Sequence, residues 1–378
     1  MLPDKKCLHI LSKLADEGFQ AYITGESVRD IIMQRPIHYF DITTNADITQ
    51  IMEIFSDKHE FLTNKECKAV IVYGDNASFR ITTLKTNDDD FEAAMKEKLA
   101  EFNFTMNAIA MNAFGNLYDP FGGRFDIDER VIKCVSNPEI CFSKDPLQIL
   151  RVLRFASSLD LNIDLQTSKA AKKLRESLKN VSTDEIRSEF VKILCGINTA
   201  KILLEYREII AVIVPEITDC FDFQQFSRYH KYDVYEHTAR AVSNIAINGD
   251  NAELLRIAMF FHDIGKPKMF TCDEKGFGHF KGHAQAGAKM TEKIMRRMKF
   301  DDQTVKRVCT IIYHHSDRIQ TEQQIRDMIS KTGADLFFNL MEAKKADNSA
   351  KCEYVAAEND ELDAAIAIAK KICQEILR

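Results

Sequence analysis

The hydrophobic period of this chain changes once, near residue 123, and that change limits the available folds more than any other feature. Before it, short strand-like runs alternate with amphipathic helices. Residues 5–17 place Cys7, Leu8, Ile10, Leu11 and Leu14 on one helical face. A strand at 20–24 runs into Gly25 and a helix at 27–33. A strand at 40–44, a helix at 47–55 and strands at 69–73 and 79–85 follow. Residues 87–98 are acidic and then helical, and 103–111 has the pattern of a further helix. Such alternation predicts a small domain with a mixed sheet. Beyond the DPFGG turn at 119–123 the strand signals fade. Helices are expected at 145–159, 167–178, 184–195 and 198–206, and onward to the end. The fold class is therefore α+β, with a mixed-sheet head followed by all-α regions. At roughly 100–200 residues per domain, 378 residues allow two or three domains. The expected boundaries are a head over 1–123, a helical neck over 124–215, a helical domain over 216–350 and a C-terminal helix over 351–378.

Composition narrows the function classes. Apolar residues make up 45% and charged residues 29%, and no apolar run reaches the roughly 18 residues of a spanning helix. No membrane association is expected, and the charged, helical N-terminus predicts a cytoplasmic protein. The ten cysteines contain no CxxC pair, which predicts buried, reduced thiols. A net charge of −6 excludes a broadly basic coat but leaves a local basic groove open. The run Lys172, Lys173, Arg175 and Lys179 suits either a phosphate backbone or plain solvation. The apolar stripe of 360–378 suits packing on the preceding helices or on a partner, so oligomeric state stays open.

Histidine is concentrated: seven of ten lie between residues 230 and 315, where a uniform spread would put two or three. His262 and Asp263 end an apolar helix, with Met259 and Leu255 on the histidine's face. His315 shares a face with Ile311 and Val308, and Asp347 with Ala343, Leu340 and Leu336. His237 lies on the helix of Val234 and Ala241. A carboxylate in apolar surroundings is costly unless neutralised. Imidazoles and carboxylates converging from separate helices suit one or two divalent ions: Mn, Fe, Ni, Co, Zn or Mg. Asp317 competes with Asp347 for the last carboxylate position.

The ordered set, with HDIGKP and HFKGHAQAGAK, resembles the HD phosphohydrolase superfamily. The resemblance implies His237, His262, Asp263 and Asp347 as core ligands, with His283, His314 and His315 as the additional ligands of two-metal members. It also implies Asp263, Lys266 and His283 as catalytic residues, Lys266 meeting a substrate phosphate.

The first half resembles the class II tRNA nucleotidyltransferase/poly(A) polymerase family, which includes the bacterial CCA-adding enzymes. The resemblance rests on AYITGESVRDIIMQRPIHYFDITTNA, FTMNAIAMN, LYDPFGGR, DPLQILRVLRFA and VSTDEIRSEFVKIL. It implies nucleotide-binding roles for Gly25, Arg29, Asp41, Asn107, Asp145, Arg151 and Arg154, with Asp119 also in family position. Several chemical positions depart from the family. The paired metal carboxylates are Tyr39 and Asp41, and a phenol with pKa about 10 is a poor magnesium ligand near neutrality. Gly-Gly is Gly25-Glu26, Arg-Arg-Asp is Glu101-Phe102-Asn103, and the neck arginine is Gln148.

These departures lead to the expectation of a metal-dependent HD phosphohydrolase acting on nucleotide or RNA-end phosphoesters such as 2′,3′-cyclic phosphates, with the transferase site inactive. The alternative is an active CCA-adding tRNA nucleotidyltransferase, and a second alternative is a non-catalytic RNA-binding protein. Expected partners are a nucleotide or RNA substrate, tRNA among the candidates.

Overall fold

The computed structural model describes residues 5–56, 59–63, 68–74, 77–84, 91–356 and 358–376. Residue 85 of one expected strand, residues 87–90 of the acidic stretch and the final two residues lie outside them.

The head is built on a seven-stranded sheet. Its strands are β1 (Ala21–Thr24), β2 (Tyr39–Thr44), β3 (His59–Thr63), β4 (Lys68–Gly74), β5 (Ala77–Thr83), β6 (Ala110–Met111) and β7 (Leu117–Tyr118). The order is β3-β4-β5-β2-β1-β6-β7, and among the described residues of this sheet only β2 and β5 run parallel. Phe40 and Ile42 on β2 and Phe79 and Ile81 on β5 are buried. Since side chains alternate along a strand, Tyr39 and Asp41 share the opposite face of β2. The Lys5–Asp16 helix buries Cys7, Ile10, Leu11 and Leu14, the expected apolar face apart from the half-buried Leu8. A capping box between Asp47 and Gln50 starts the Ile48–Ile54 helix.

The helix expected at 103–111 does not form. Thr105–Asn107 makes a single 3-10 turn, and Ala110–Met111 pairs with Ile23–Thr24 as β6. The apolar spacing of FTMNAIAMN serves either structure, and the partner strand 86 residues upstream in sequence decides between them.

Contacts divide the chain into two units: Met1–Asp145 with Asn162–Ala171, and Pro146–Leu161 with Lys172–Arg378. Residues 124–145, grouped with the neck in the sequence reading, thus fall in the first unit. The second unit is helical. Its main helices include Leu147–Leu159, Thr183–Leu194, Val234–Ser243, Ala252–Phe261, His283–Arg297, Asp302–His314, Ala334–Ser349 and Asn359–Ile376. Arg256 is buried and donates to the carbonyls of Leu194, Gly196 and Ile245, satisfying backbone acceptors at helix ends. A two-stranded pair, Thr271–Cys272 with Gly278–His279, interrupts the expected helical run.

Cys7, Cys134, Cys141 and Cys220 are buried free thiols, whereas Cys272 is exposed. Among the described residues no helix is long and apolar enough to cross a membrane.

Candidate metal centre and head site

Five helices and the turns at their ends bring the HD residues together. His237 lies in the first turn of Val234–Ser243, capped by Asp233. His262 and Asp263 close the Ala252–Phe261 helix, His283 opens His283–Arg297, His315 closes Asp302–His314, and Asp347 lies on Ala334–Ser349. Glycine makes the approach possible. A Cβ on Gly265 would come within 2.3 Å of the His283 carbonyl oxygen, so the turn after Asp263 can lie directly against that helix only without a side chain.

Two groups of donor atoms result: His237, His262 and Asp347, and Asp263, His283 and His315. His237 Nε2 is 3.2 Å from His262 Nε2 and 3.0 Å from Asp347 Oδ1. Asp263 stands between the groups. Its Oδ2 is 3.1 Å from His262 Nε2 and 3.3 Å from His237 Nε2, and its Oδ1 is 3.5 Å from His283 Nε2 and 3.7 Å from His315 Nε2.

The opposite edges of the rings set the tautomer. Nδ1 of His262, His283 and His315 donates to the carbonyls of Met259, Phe280 and Ile312, each at 2.7 Å, and Nδ1 of His237 donates to Ala350 at 3.3 Å. In the neutral rings, therefore, all four Nε2 lone pairs point at one another and at the carboxylates. Neither oxygen of Asp263 meets a donor in hydrogen-bond geometry, although both are buried. Buried lone pairs facing each other are costly unless a cation or a proton lies among them, and the His/Asp donor set fits a divalent metal.

The electrostatics agree. Burial pulls the His262 imidazole down, but the Asp263 charge beside it overrides this and raises it to about 9. Burial also pushes Asp263 and Asp347 up. The charges of His262 and Lys266 hold Asp263 well below the usual carboxylate range, and Lys351 does the same for Asp347. Burial lowers His283 to about 4, leaving it a neutral ligand.

Lys266 Nζ lies 2.7 Å from Asp263 Oδ2 and donates to Gln225 Oε1 at 2.7 Å. Over the centre opens a cavity of about 1110 Å³ whose walls include Tyr229, Phe277, Lys281, Arg318 and Lys344.

His314 is not part of the cluster. Its Nδ1 is 2.6 Å from Asp317 Oδ2, and adjacent helical positions diverge by about 100°, so only one of the two histidines can face the centre. Asp317 is thereby accounted for, and Asp347 is the carboxylate that joins Asp263 in the cluster. Sequence reasoning missed Gln225, Lys344 and Lys351. Lys351, paired with Asp347 at 2.7 Å, carries a readable signal in its four-residue spacing. Lys344, which donates to the carbonyls of His315 and Asp317, carries none.

In the head, the candidate nucleotide residues separate into structural and chemical groups. Arg29 is buried, donating to Asp30 and Asn107 at 2.9 and 3.1 Å, and ties the Glu26–Ile32 helix to the 3-10 turn. Asp119 accepts from the backbone of Gly123 and Arg124 and shapes the turn. Asp145 follows the Pro138–Lys144 helix as its cap. Arg151 and Arg154 belong to the second unit, where Arg154 lies 3.0 Å from the buried Glu189.

Gly25 has φ of 75°, and a Cβ there would stand 2.9 Å from the Phe102 ring and 3.9 Å from Asp41 Oδ2. Ser27 Oγ accepts from the Asp41 amide and donates to the Tyr39 carbonyl, fixing β2 beside the glycine. Beside Asp41 lies a group that the sequence reading did not single out: Arg80 on β5, its Nη1 3.5 Å from Asp41 Oδ1. Only the parallel pairing of β2 and β5 brings the two together. Burial raises the Asp41 carboxyl, against the charge of Arg80.

The head residues do not fit a pair of divalent ions. One carboxylate is a phenol, and the other faces a guanidinium. At an effective dielectric of 20, two like charges 4 Å apart repel by about 4 kcal/mol, and a dication doubles that figure.

Comparison with known proteins places these sites in context. Residues 21–133 match the poly A polymerase head domain, 160–221 the probable RNA and SrmB-binding site of polymerase A, and 229–369 the HD domain. The chain is 36% identical over 217 residues to the CCA-adding enzyme of Ligilactobacillus salivarius, covering 54% of this chain and 53% of that protein. It is 37% identical over 202 residues to that of Staphylococcus aureus strain MRSA252, covering 51% and 50%. The chain thus spans about half the length of the curated relatives it matches. The Bacillus stearothermophilus CCA-adding enzyme in complex with CTP has a similar fold, with TM-score 0.68, 22% identity, and 96% of this chain and 82% of that chain covered. So does the Thermotoga maritima enzyme complexed with tRNA, with TM-score 0.61, 17% identity, and coverage of 97% and 83%.

Relatives named for CCA addition overturn the expectation of a phosphohydrolase whose transferase site is inactive, and favour the transferase alternative. The departures at Tyr39, Glu26 and Phe102 stand as residues. The inference that they abolish transfer does not.

Proposed function

The chain belongs to the class II tRNA nucleotidyltransferase/poly(A) polymerase family, with an HD domain behind its head and RNA-binding region, and from this we propose that it transfers nucleotides to the 3′ end of tRNA. The similarity to CCA-adding enzymes carries the reading. In the transfer, the tRNA 3′-oxygen bonds to the α-phosphorus of CTP or ATP, the bond to pyrophosphate breaks, and the hydroxyl proton is lost. Asp41 is the head carboxylate we assign to that proton, because burial raises its affinity for one. The Gly25 loop and Arg80 face the same region and are assigned to the phosphates.

We further propose that His237, His262, Asp263 and Asp347 bind one divalent ion, and that His283 and His315 share Asp263 with a second. When bound, such ions supply Lewis-acid polarisation of phosphoryl oxygens. Lys266 would orient a phosphate at that centre.

The test is incorporation of labelled CTP and ATP into tRNA lacking its terminal CCA. Template-free addition that is lost in Asp41→Asn supports the proposal. No incorporation by the wild-type protein with any divalent ion overturns it.

A further inference from the structure

Two thiols of the first unit meet each other. Cys134 follows the short Val131–Ile132 strand and forms an antiparallel bridge with Phe104. Backbone bonds fix that bridge on both sides. The Thr105 amide donates to the Lys133 carbonyl at 2.9 Å, and the Val135 amide to the Asn103 carbonyl at 3.0 Å. The chain then turns back on itself. Asn137 caps the Pro138–Lys144 helix, its side chain accepting from the amides of Glu139 and Ile140, and this helix carries Cys141. Cys141 Sγ lies 3.3 Å from Asn103 Oδ1. The segment that clamps Cys134 therefore also receives the Cys141 thiol. Cys134 in turn donates its S–H to the Cys141 sulfur, so the two sulfurs face each other. That bond holds the Cys141 thiol below its ordinary range against the effect of burial, and together with burial it pushes Cys134 up. The roles divide accordingly: Cys141 supplies a thiolate, the nucleophile in thiol oxidation, and Cys134 keeps the proton.

We propose that Cys134 and Cys141 form an oxidative modification site, in which hydrogen peroxide converts the two facing thiols into an intramolecular disulfide. Cys141 Sγ attacks one peroxide oxygen, the O–O bond breaks, and the departing hydroxide leaves as water with the proton that Cys141 gave up. The Cys134 sulfur then attacks the sulfenic acid on Cys141. The S–S bond forms, the S–O bond breaks, and the second hydroxide leaves as water with the Cys134 proton. The two sulfurs lose two electrons in all, and the peroxide gains both. Exposure selects the oxidant by size. At 4% and 8% exposed, Cys134 and Cys141 admit a water-sized peroxide and not a bulky disulfide. Closure also takes the S–H from Asn103, one residue beyond the Phe102 ring that lies against Gly25. The site does not depend on the transferase reading, and its test needs no activity.

The experiment is peroxide treatment of the full chain, followed by peptide mapping without reductant. At a dose that sulfenylates the exposed Cys272, a crosslink between Cys134 and Cys141 is expected, and dithiothreitol should restore both thiols. Cys134→Ser should leave a dimedone-reactive sulfenic acid on Cys141, whereas Cys141→Ser should leave Cys134 reduced. Both thiols still reduced at that dose, or joined to other cysteines instead, would overturn the proposal. So would sulfenylation of Cys134 in Cys141→Ser equal to that of Cys141 in Cys134→Ser. Circular dichroism checks that each variant folds; should either not fold, the map of the wild-type protein decides.

Discussion

Tyr39 shows how much one residue can carry. It stands two positions before Asp41 on the same face of β2, where a second carboxylate would complete a metal cage. A phenol there is a poor ion ligand, and Tyr39→Asp should supply a carboxylate in its place. The expected result is a roughly tenfold or greater rise in magnesium-dependent CMP incorporation, read from initial rates, consistent with the several kcal/mol a bound metal can contribute to phosphoryl transfer. An unchanged rate would show that position 39 does not limit the reaction. The histidine doublet gives a second test at this scale. His315 faces the centre and His314 faces Asp317, so His315→Ala should lose one equivalent of metal by mass spectrometry, and His314→Ala none. Equal losses would contradict the assignment. Sequence spacing exposes both members of the doublet. Which one points inward depends on the phase of the helix end, and local pattern does not fix that.

Helices and strands divide in the same way between what is locally and non-locally determined. The 5–17 helix was legible because four residues, Cys7, Ile10, Leu11 and Leu14, repeat at helical spacing and do pack inward. The histidines and carboxylates that converge from separate helices were legible too, because each shares a face with apolar neighbours. Residues 103–111 were misread because their pairing partner, β1, is remote. Arg80 was missed for a related reason: nothing within β5 distinguishes it until β5 lies parallel to β2. Elements also depend on contacts that a single residue sets. Gly265 lies where a Cβ would strike the His283 backbone, so Gly265→Ala must push the His283–Arg297 helix away from Asp263. A loss of about 1–3 kcal/mol in urea unfolding is expected, with weakened metal binding. Arg256→Leu would leave the three helix-end carbonyls of Leu194, Gly196 and Ile245 without their donor. It should cost about 3 kcal/mol by the same measurement; a neutral result would mean that the unit repacks around the loss.

At the scale of the whole molecule, the metal-type ligand set lies in the unit formed by 146–161 and 172–378, and none of its members lies in the other. Metal that binds only the folded state stabilises that state by RT times the logarithm of one plus the ratio of free metal to Kd, about 2.7 kcal/mol at a hundredfold excess over Kd. Chelation should therefore lower the melting of the helical unit by roughly 5–10 °C and leave the head's unchanged. The pH dependence provides an internal control. In chelated protein His262 is raised to about 9 from an ordinary 6.5, so it favours the folded state fully below 6.5, and that contribution is lost as the pH climbs through 9. His283, lowered to about 4, acts in the opposite direction: its contribution is present above 6.5 and lost as the pH falls through 4. A bound metal occupies the Nε2 positions that the His262 proton would otherwise take, so the alkaline loss should disappear on reloading. Differential scanning calorimetry at pH 6.5 and 9, with and without chelator, should show the melting gap between loaded and chelated protein widening at the higher pH. His262→Ala lacks the titrating imidazole, so its melting should not show the alkaline loss seen in chelated wild type. A gap of equal size at the two pH values, or a head transition that shifts with the chelator, would contradict a metal centre confined to the helical unit.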